Sequence, residues 1–173
     1  DSEFLSYYGA EMILEIARFW SSIATYNSGD KRYEILGVIG PDEYHDAYPN
    51  SKSPGVDNNA YTNIMAVFVL NKALELQNIL SKIRFGELCE RLHIEQAEIE
   101  RWKELSRRMK IPFHEGNIIS QFEGYEALRE LEWETYRKKY SNIQRLDRIL
   151  EAEGDSANNY KVSKQADVMM LLY

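Results

Sequence analysis

"AYTNIMAVFVLNKALELQNIL", residues 60 to 80, decides the fold class. Its apolar side chains do not alternate. They recur at helical spacing around most of the circumference, so the stretch predicts a long helix buried on most sides. Such a helix needs other helices to cover it, and both flanks supply candidates. Upstream, "SYYGAEMILEIARFWSSIATY" (6–26) carries apolar residues at 12, 13, 16, 17, 19, 20 and 23, which predicts a long helix with one broad buried face. Downstream, amphipathic helices are expected over 85–93 and 95–109, short ones over 133–139 and 142–151, and a last one from Ser163. "RYEILGVIG" (32–40) follows the turn residues "NSGDK" and reads as a strand. Residues 40–58, with Pro41, Pro49, Pro54 and Gly55, read as a long loop, a feature that is usually functional or disordered. "IPFHEGNIISQFEG" breaks the helical period at Pro112 and Gly116 and reads as extended. The expected class is mainly α with long loops and short extended segments, and no fixed-period repeat suggests a solenoid.

The 173 residues fit one domain or a large piece of one. A 44% hydrophobic and 12% aromatic content supplies a sizeable core, and the twelve tyrosines and three tryptophans offer flat faces to sugar rings. A net charge of −7 argues against nucleic acid or an anionic membrane as partner, since either calls for a basic patch. Cys89 is the single cysteine, so no internal disulfide can form. Its spacing from Phe85 and Leu92 reads as a buried structural thiol. With no signal peptide and no apolar run of membrane-spanning length, a cytoplasmic protein is expected. The chain opens without methionine and stops at "ADVMMLLY", inside an apolar helical pattern; the expectation is a piece excised from a longer protein.

No phosphate-binding glycine loop, dinucleotide fingerprint or serine-nucleophile elbow occurs. His45, His93 and His114 are scattered, so no histidine metal site is expected. "GPDEYH" (40–45) is the remaining chemical candidate. Cleaving a glycosidic bond requires a carboxylic acid that stays protonated near neutrality and passes its proton to the leaving oxygen. Glu43 can fill that role if burial or a neighbouring negative charge, for which Asp42 is placed, raises its pKa. The alternative is an Asx-type turn facing water. "NNAYTN" (58–63) offers amides to sugar hydroxyls, or an Asn that caps the helix at Ala60. Trp20 is either a sugar platform or core. Lys164 and Gln165 are expected in the first turn of the last helix, with Ser163 as cap. Lysine there is electrostatically disfavoured, which hints at another task. His45 reads equally as a ligand group and as a structural hydrogen-bond partner.

Taken together, "ARFWSS", "GVIGPDEYHD", "NNAYTNIMAVFVL" and "SKQADVMMLLY" resemble the catalytic domain of glycoside hydrolase family 65, which holds maltose, trehalose and kojibiose phosphorylases and related α-glucoside hydrolases. The resemblance runs over most of the chain in the expected order. It implies an (α/α)6 toroid, of which residues 1–173 would be a part truncated at both ends. It implies Glu43 as general acid, Lys164 and Gln165 as ligands of the glucosyl unit before the scissile bond, and inversion at the anomeric carbon. His45, Asn59 and Trp20 complete the expected substrate-binding set. No metal or cofactor is implied, only inorganic phosphate as co-substrate in a phosphorylase. The partner is a small α-glucoside, with a homodimer as candidate assembly of the intact protein. The family's upstream tryptophan-aspartate motif and its downstream phosphate- or base-carrying segment would fall outside the chain, so the isolated chain is expected to be inactive. "DAYPNSKSPGVD" lengthens the link between the two central motifs, and with "SNIQRLDRILEAEGDS" it is similar to members described as hydrolases or phosphorylases. The expectation is therefore inverting hydrolysis. Phosphorolysis and a non-catalytic sugar-binding helical module are the alternatives.

Overall fold

The computed structural model describes residues 1–172; it consists mainly of helices joined by loops, with two short antiparallel hairpins. The chain divides into two compact units, 1–35 with 63–110 and 36–62 with the residues from 111 onward.

In the first unit, α1 (Ser2–Phe4) is capped by the Asp1 carboxylate and runs through a π-helical turn (Leu5–Gly9) into α2 (Ala10–Ile23). The buried face of α2 overlaps only partly with the one its apolar pattern predicts, sharing Ala17 and the half-buried Ile13 and Trp20. Ala10, Leu14, Ala17 and Ser21 are buried, whereas Met12, Ile16, Phe19 and Ile23 are exposed. Small side chains on the buried stripe let α5 (Gln96–Arg108) approach closely, and polar anchors hold it there. Arg18 donates to Glu98 and to the Leu92 carbonyl, and Arg101 donates to the carbonyls of Ser21 and Ala24. From α5, Trp102 and Leu105 complete the core. Strands β1 (Thr25–Asn27) and β2 (Arg32–Glu34) form a hairpin across the expected turn, with Tyr26 opposite Tyr33. The strand ends at Glu34 rather than Gly40. Helix α3 (Ala60–Ile79) buries Asn63, Ala66, Leu70, Ala73 and Leu76 along one line. Helix α4 (Lys82–Leu92) begins at Ser81, whose hydroxyl accepts from the Arg84 N–H, and ends at His93 in the left-handed conformation. Cys89 is half-buried on α4, and burial pushes its thiol up, as befits a structural residue.

In the second unit, β3 (Phe113–His114) and β4 (Ile118–Ile119) form a small hairpin, followed by α6 (Trp133–Lys139), α7 (Leu146–Ala152) and α8 (Asp167–Met170). Tyr44, Leu131, Leu146, Leu150, Ala157 and Val162 make one core cluster; Val56, Phe122 and Leu128 make another, with Tyr48 and Tyr125 against it. The long loop is tied at its base, where Val38 and Val56 exchange backbone hydrogen bonds at 3.0 and 2.8 Å. Gly55, at φ 95°, allows this closure, since a Cβ there would lie 2.4 Å from the Gly37 carbonyl carbon. The Tyr48 hydroxyl spans the loop, accepting from the Asp57 N–H and donating to the Glu123 carbonyl.

The last helix starts at Asp167, not Ser163. Ser163 does not cap it; its hydroxyl donates to the Gln165 carbonyl at 2.7 Å. Lys164 and Gln165 therefore precede the helix, and the helix-dipole reason for singling out Lys164 does not apply. Among the described residues, no helix is long and apolar enough to cross a membrane.

Candidate active site

Glu43 is held outward by its neighbours. Asp42 and Tyr44 are both buried, the tyrosine within the Leu146–Leu150 cluster, while the Glu43 side chain is 63% exposed. Two residues more than a hundred positions away meet its carboxylate. Lys164 Nζ donates to Oε2 at 2.6 Å, and Gln165 Nε2 donates to Oε1 at 2.7 Å. The Glu43 N–H in turn donates to Gln165 Oε1 at 3.1 Å. The Lys164 hydrogen bond, then that from Gln165, hold the Glu43 carboxyl below its ordinary range. Asp42 does not raise Glu43, contrary to expectation, because its own carboxylate points inward and is saturated with donors.

Asp42 Oδ1 accepts from the backbone N–H groups of Lys164 (2.8 Å) and Gln165 (3.2 Å), and Oδ2 accepts from Gln121 Nε2 (2.8 Å). His45 Nδ1 lies 3.1 Å from the same Oδ2, and its Nε2 lies 3.0 Å from the Tyr160 carbonyl. Both ring nitrogens thus lie within hydrogen-bond distance of oxygen atoms. The ring packs on Phe122 and Tyr125 and is 2% exposed. Burial pushes the Asp42 carboxyl up, but the hydrogen bonds from His45, Gln121, Lys164 and Gln165 outweigh it and leave it below its ordinary value. Its neighbour Asp167 is affected oppositely. Buried among few donors, its carboxyl is raised, and Oδ2 lacks a well-formed hydrogen bond.

The structure thus brings together four of the expected residues, Glu43, Lys164, Gln165 and His45, the last as a structural partner. Asn59 is the helix cap: Oδ1 accepts from the Thr62 N–H and hydroxyl at 2.9 and 3.0 Å, and Nδ2 donates to the Gln121 carbonyl. Gly40 permits this, since a Cβ there would meet the Asn59 amide at 2.4 Å. Trp20 belongs to the first unit, half-buried and edge-on to Phe19 at 5.2 Å. Gln121 was not singled out from the sequence; nothing local marks a glutamine in an extended run as an aspartate's partner. Among the described residues, no group of three or more His, Cys, Asp or Glu side chains is arranged to hold a metal ion. A cleft of about 440 Å³ opens beside Glu43, lined among others by Asp46, Asp147, Glu151 and Asn158.

The sequence profile of the glycosyl hydrolase family 65 central catalytic domain matches residues 1–173. The chain belongs to this family. It is 54% identical over its whole length to an "Uncharacterized glycosyl hydrolase" of Mycobacterium tuberculosis. It is 36% identical to a trehalose 6-phosphate phosphorylase of Lactococcus lactis and 37% to a kojibiose phosphorylase of Halothermothrix orenii. The chain spans 13% of the mycobacterial protein and 21% of each phosphorylase. A solved structure named "Putative kojibiose phosphorylase from human microbiome" shares the fold, with a TM-score of 0.77 at 24% identity over 99% of this chain and 22% of its own. The resemblance to family 65 is thereby established.

Proposed function

We propose that the protein carrying this chain cleaves an α-glucosidic bond by phosphorolysis, with Glu43 protonating the leaving oxygen. The observation that carries the reading is the outward Glu43 carboxylate, gripped by Lys164 and Gln165, within a family 65 domain. The trehalose 6-phosphate, kojibiose and 1,2-alpha-glucosylglycerol phosphorylases among its relatives favour phosphate over the water expected from the long central link. Glu43 passes its proton to the glycosidic oxygen as the bond from that oxygen to C1 breaks. Hydrogen phosphate attacks C1 from the opposite face, giving a β-configured glucose 1-phosphate and a free acceptor sugar. The proton lost by Glu43 is replaced by that of the attacking hydrogen phosphate, through solvent. Phosphate is a substrate here, and no other cofactor enters. A cytoplasmic setting belongs to the same proposal.

Lys164 and Gln165 give the acid a substrate-dependent protonation state. In the free site they hold Glu43 ionised. A glucosyl unit that takes over their hydrogen bonds removes the groups that lower its pKa, and Glu43 binds a proton. A general acid loses activity as pH rises through its pKa. The alkaline limb of kcat, which reports the sugar-bound site, should therefore lie at higher pH than that of kcat/KM, which reports the free site. Coincident limbs would remove this coupling.

The activity itself is tested in the full-length protein with a panel of α-linked glucose disaccharides, with and without phosphate. β-Glucose 1-phosphate formed only with phosphate supports the proposal, and free β-glucose formed regardless of phosphate restores the hydrolytic reading. Glu43→Gln should abolish turnover while sugar binding survives; normal turnover would remove Glu43 from the mechanism.

A further inference from the structure

Asp42 sits beside the proton donor yet faces away from it, 1% exposed, and its two oxygens are divided between two tasks. Oδ2 is fixed from below, by the Gln121 amide and by His45, whose other nitrogen is anchored on the Tyr160 carbonyl. Oδ1 takes the consecutive backbone N–H groups of Lys164 and Gln165. These two residues carry the side chains that grip Glu43, yet they lie in a short non-helical stretch between Val162 and α8. Ser163, Lys164 and Ala166 are exposed, while the flanking Val162 and Asp167 are buried. Two parallel N–H bonds to one carboxylate oxygen fix the direction of such a stretch better than contacts at its ends.

We propose that Asp42 is a positioning residue: its carboxylate pins the Lys164–Gln165 backbone, and so aims their side chains at Glu43 and at the sugar that replaces it. This rests on the roles proposed for Glu43, Lys164 and Gln165, which it deepens. A carboxylate is required because only an acceptor on both oxygens serves all four donors. Asparagine has the same shape, but its NH2 group either faces the two backbone N–H groups, which releases the pin, or faces Gln121 and His45, which releases the anchor that holds the pin in place. The charged groups around Glu43 are Lys164 and, farther off, Arg145, with the carboxylates of Asp46, Asp147 and Glu151 along the same cleft. Of these, only Lys164 touches Asp42, through its backbone N–H, so the effect of Asp42 on Glu43 must pass through residues 164 and 165.

The test uses Asp42→Asn, Lys164→Met and the double variant in the full-length protein. Loss of the pin frees Lys164 from Glu43, so Asp42→Asn should move the alkaline limb of kcat/KM to higher pH, as Lys164→Met does. The double variant should move it no further, the non-additivity of two residues acting in series. Misplacing the clamp should cost kcat/KM about 10²-fold. A purely structural role lowers the amplitude without moving the limb, so an unmoved limb overturns the proposal, as do shifts that add. Hydrogen exchange supplies a readout independent of turnover. The amides of Lys164 and Gln165 should be protected in the native protein and exposed in Asp42→Asn; unprotected native amides overturn the proposal. If Asp42→Asn does not fold, Gln121→Met, which removes one donor beneath the pin, should loosen the same two amides, and unchanged exchange overturns it. Turnover that survives Glu43→Gln, by contrast, would sink the catalytic reading and leave the exchange result standing.

Discussion

Asn59 and Gly40 show how much one side chain can conceal. The sequence offered Asn59 as a sugar ligand or a helix cap, and the structure makes it a cap whose amide also holds the Gln121 carbonyl. Asn59→Ala removes all three of these hydrogen bonds in a buried place, with an expected loss of about 1–3 kcal/mol by urea denaturation. An unchanged midpoint would mean that α3 does not depend on this cap. Capping was legible because Asn before a helical run has a local meaning. The need for glycine at position 40 was not legible, because the atom it must avoid comes from Asn59, which reaches it only after the loop has folded back. Glu43 is the same lesson in electrostatics. Asp42 is its sequence neighbour, yet the group that controls its charge is Lys164, 121 positions away.

Helix α2 makes the point for an element. Its apolar residues form two stripes, and hydrophobicity alone favours the one containing Met12, Ile16 and Phe19. The buried stripe is Ala10, Leu14, Ala17 and Ser21, which is less apolar but lets α5 pack close. Leu14→Ala, at 1% exposure, should cost about 2–4 kcal/mol. Ile16→Ala, at 42% exposure, should fall within about 1 kcal/mol of zero. Thermal or urea unfolding of the pair decides which face is inside, and the reverse ranking would invert the helix. The final helix begins later than its local composition suggests, for a related reason. Ser163 has the composition of a cap, but its hydroxyl closes a turn on Gln165 instead, and the segment is held by Asp42 from elsewhere.

At the scale of the whole chain, the carboxyls brought down to about 2 among the described residues, Asp147, Glu153 and Asp155, all lie in the second unit. Asp155 accepts from the Tyr160 hydroxyl, the Asn159 amide and the Ser156 N–H, and these bring its carboxyl from an ordinary 3.8 to about 2. A carboxyl depressed on folding stabilises the native state above its unfolded pKa, and that contribution disappears as pH falls through the folded value. Asp155→Asn should therefore flatten the fall in melting temperature between about pH 4 and pH 2, seen in melts across that range. A fall as steep as in the parent would place the acid sensitivity elsewhere. The Tyr160 carbonyl is the anchor of His45, so loosening this corner should also raise exchange at residues 164 and 165.

The sequence by itself determined the helical class, most helix positions, the hairpin turn at 27–31 and the resemblance to the family whose profile matches the chain. Periodicity, capping and turn chemistry act over a few residues, so a linear reading captures them. Only the tertiary structure decided which face of α2 is buried, where α8 begins, and that Asp42 serves as an anchor while Lys164 sets the charge on Glu43. Burial and hydrogen bonding between distant segments depend on which donors and acceptors meet once the chain has closed, and sequence adjacency carries no record of that.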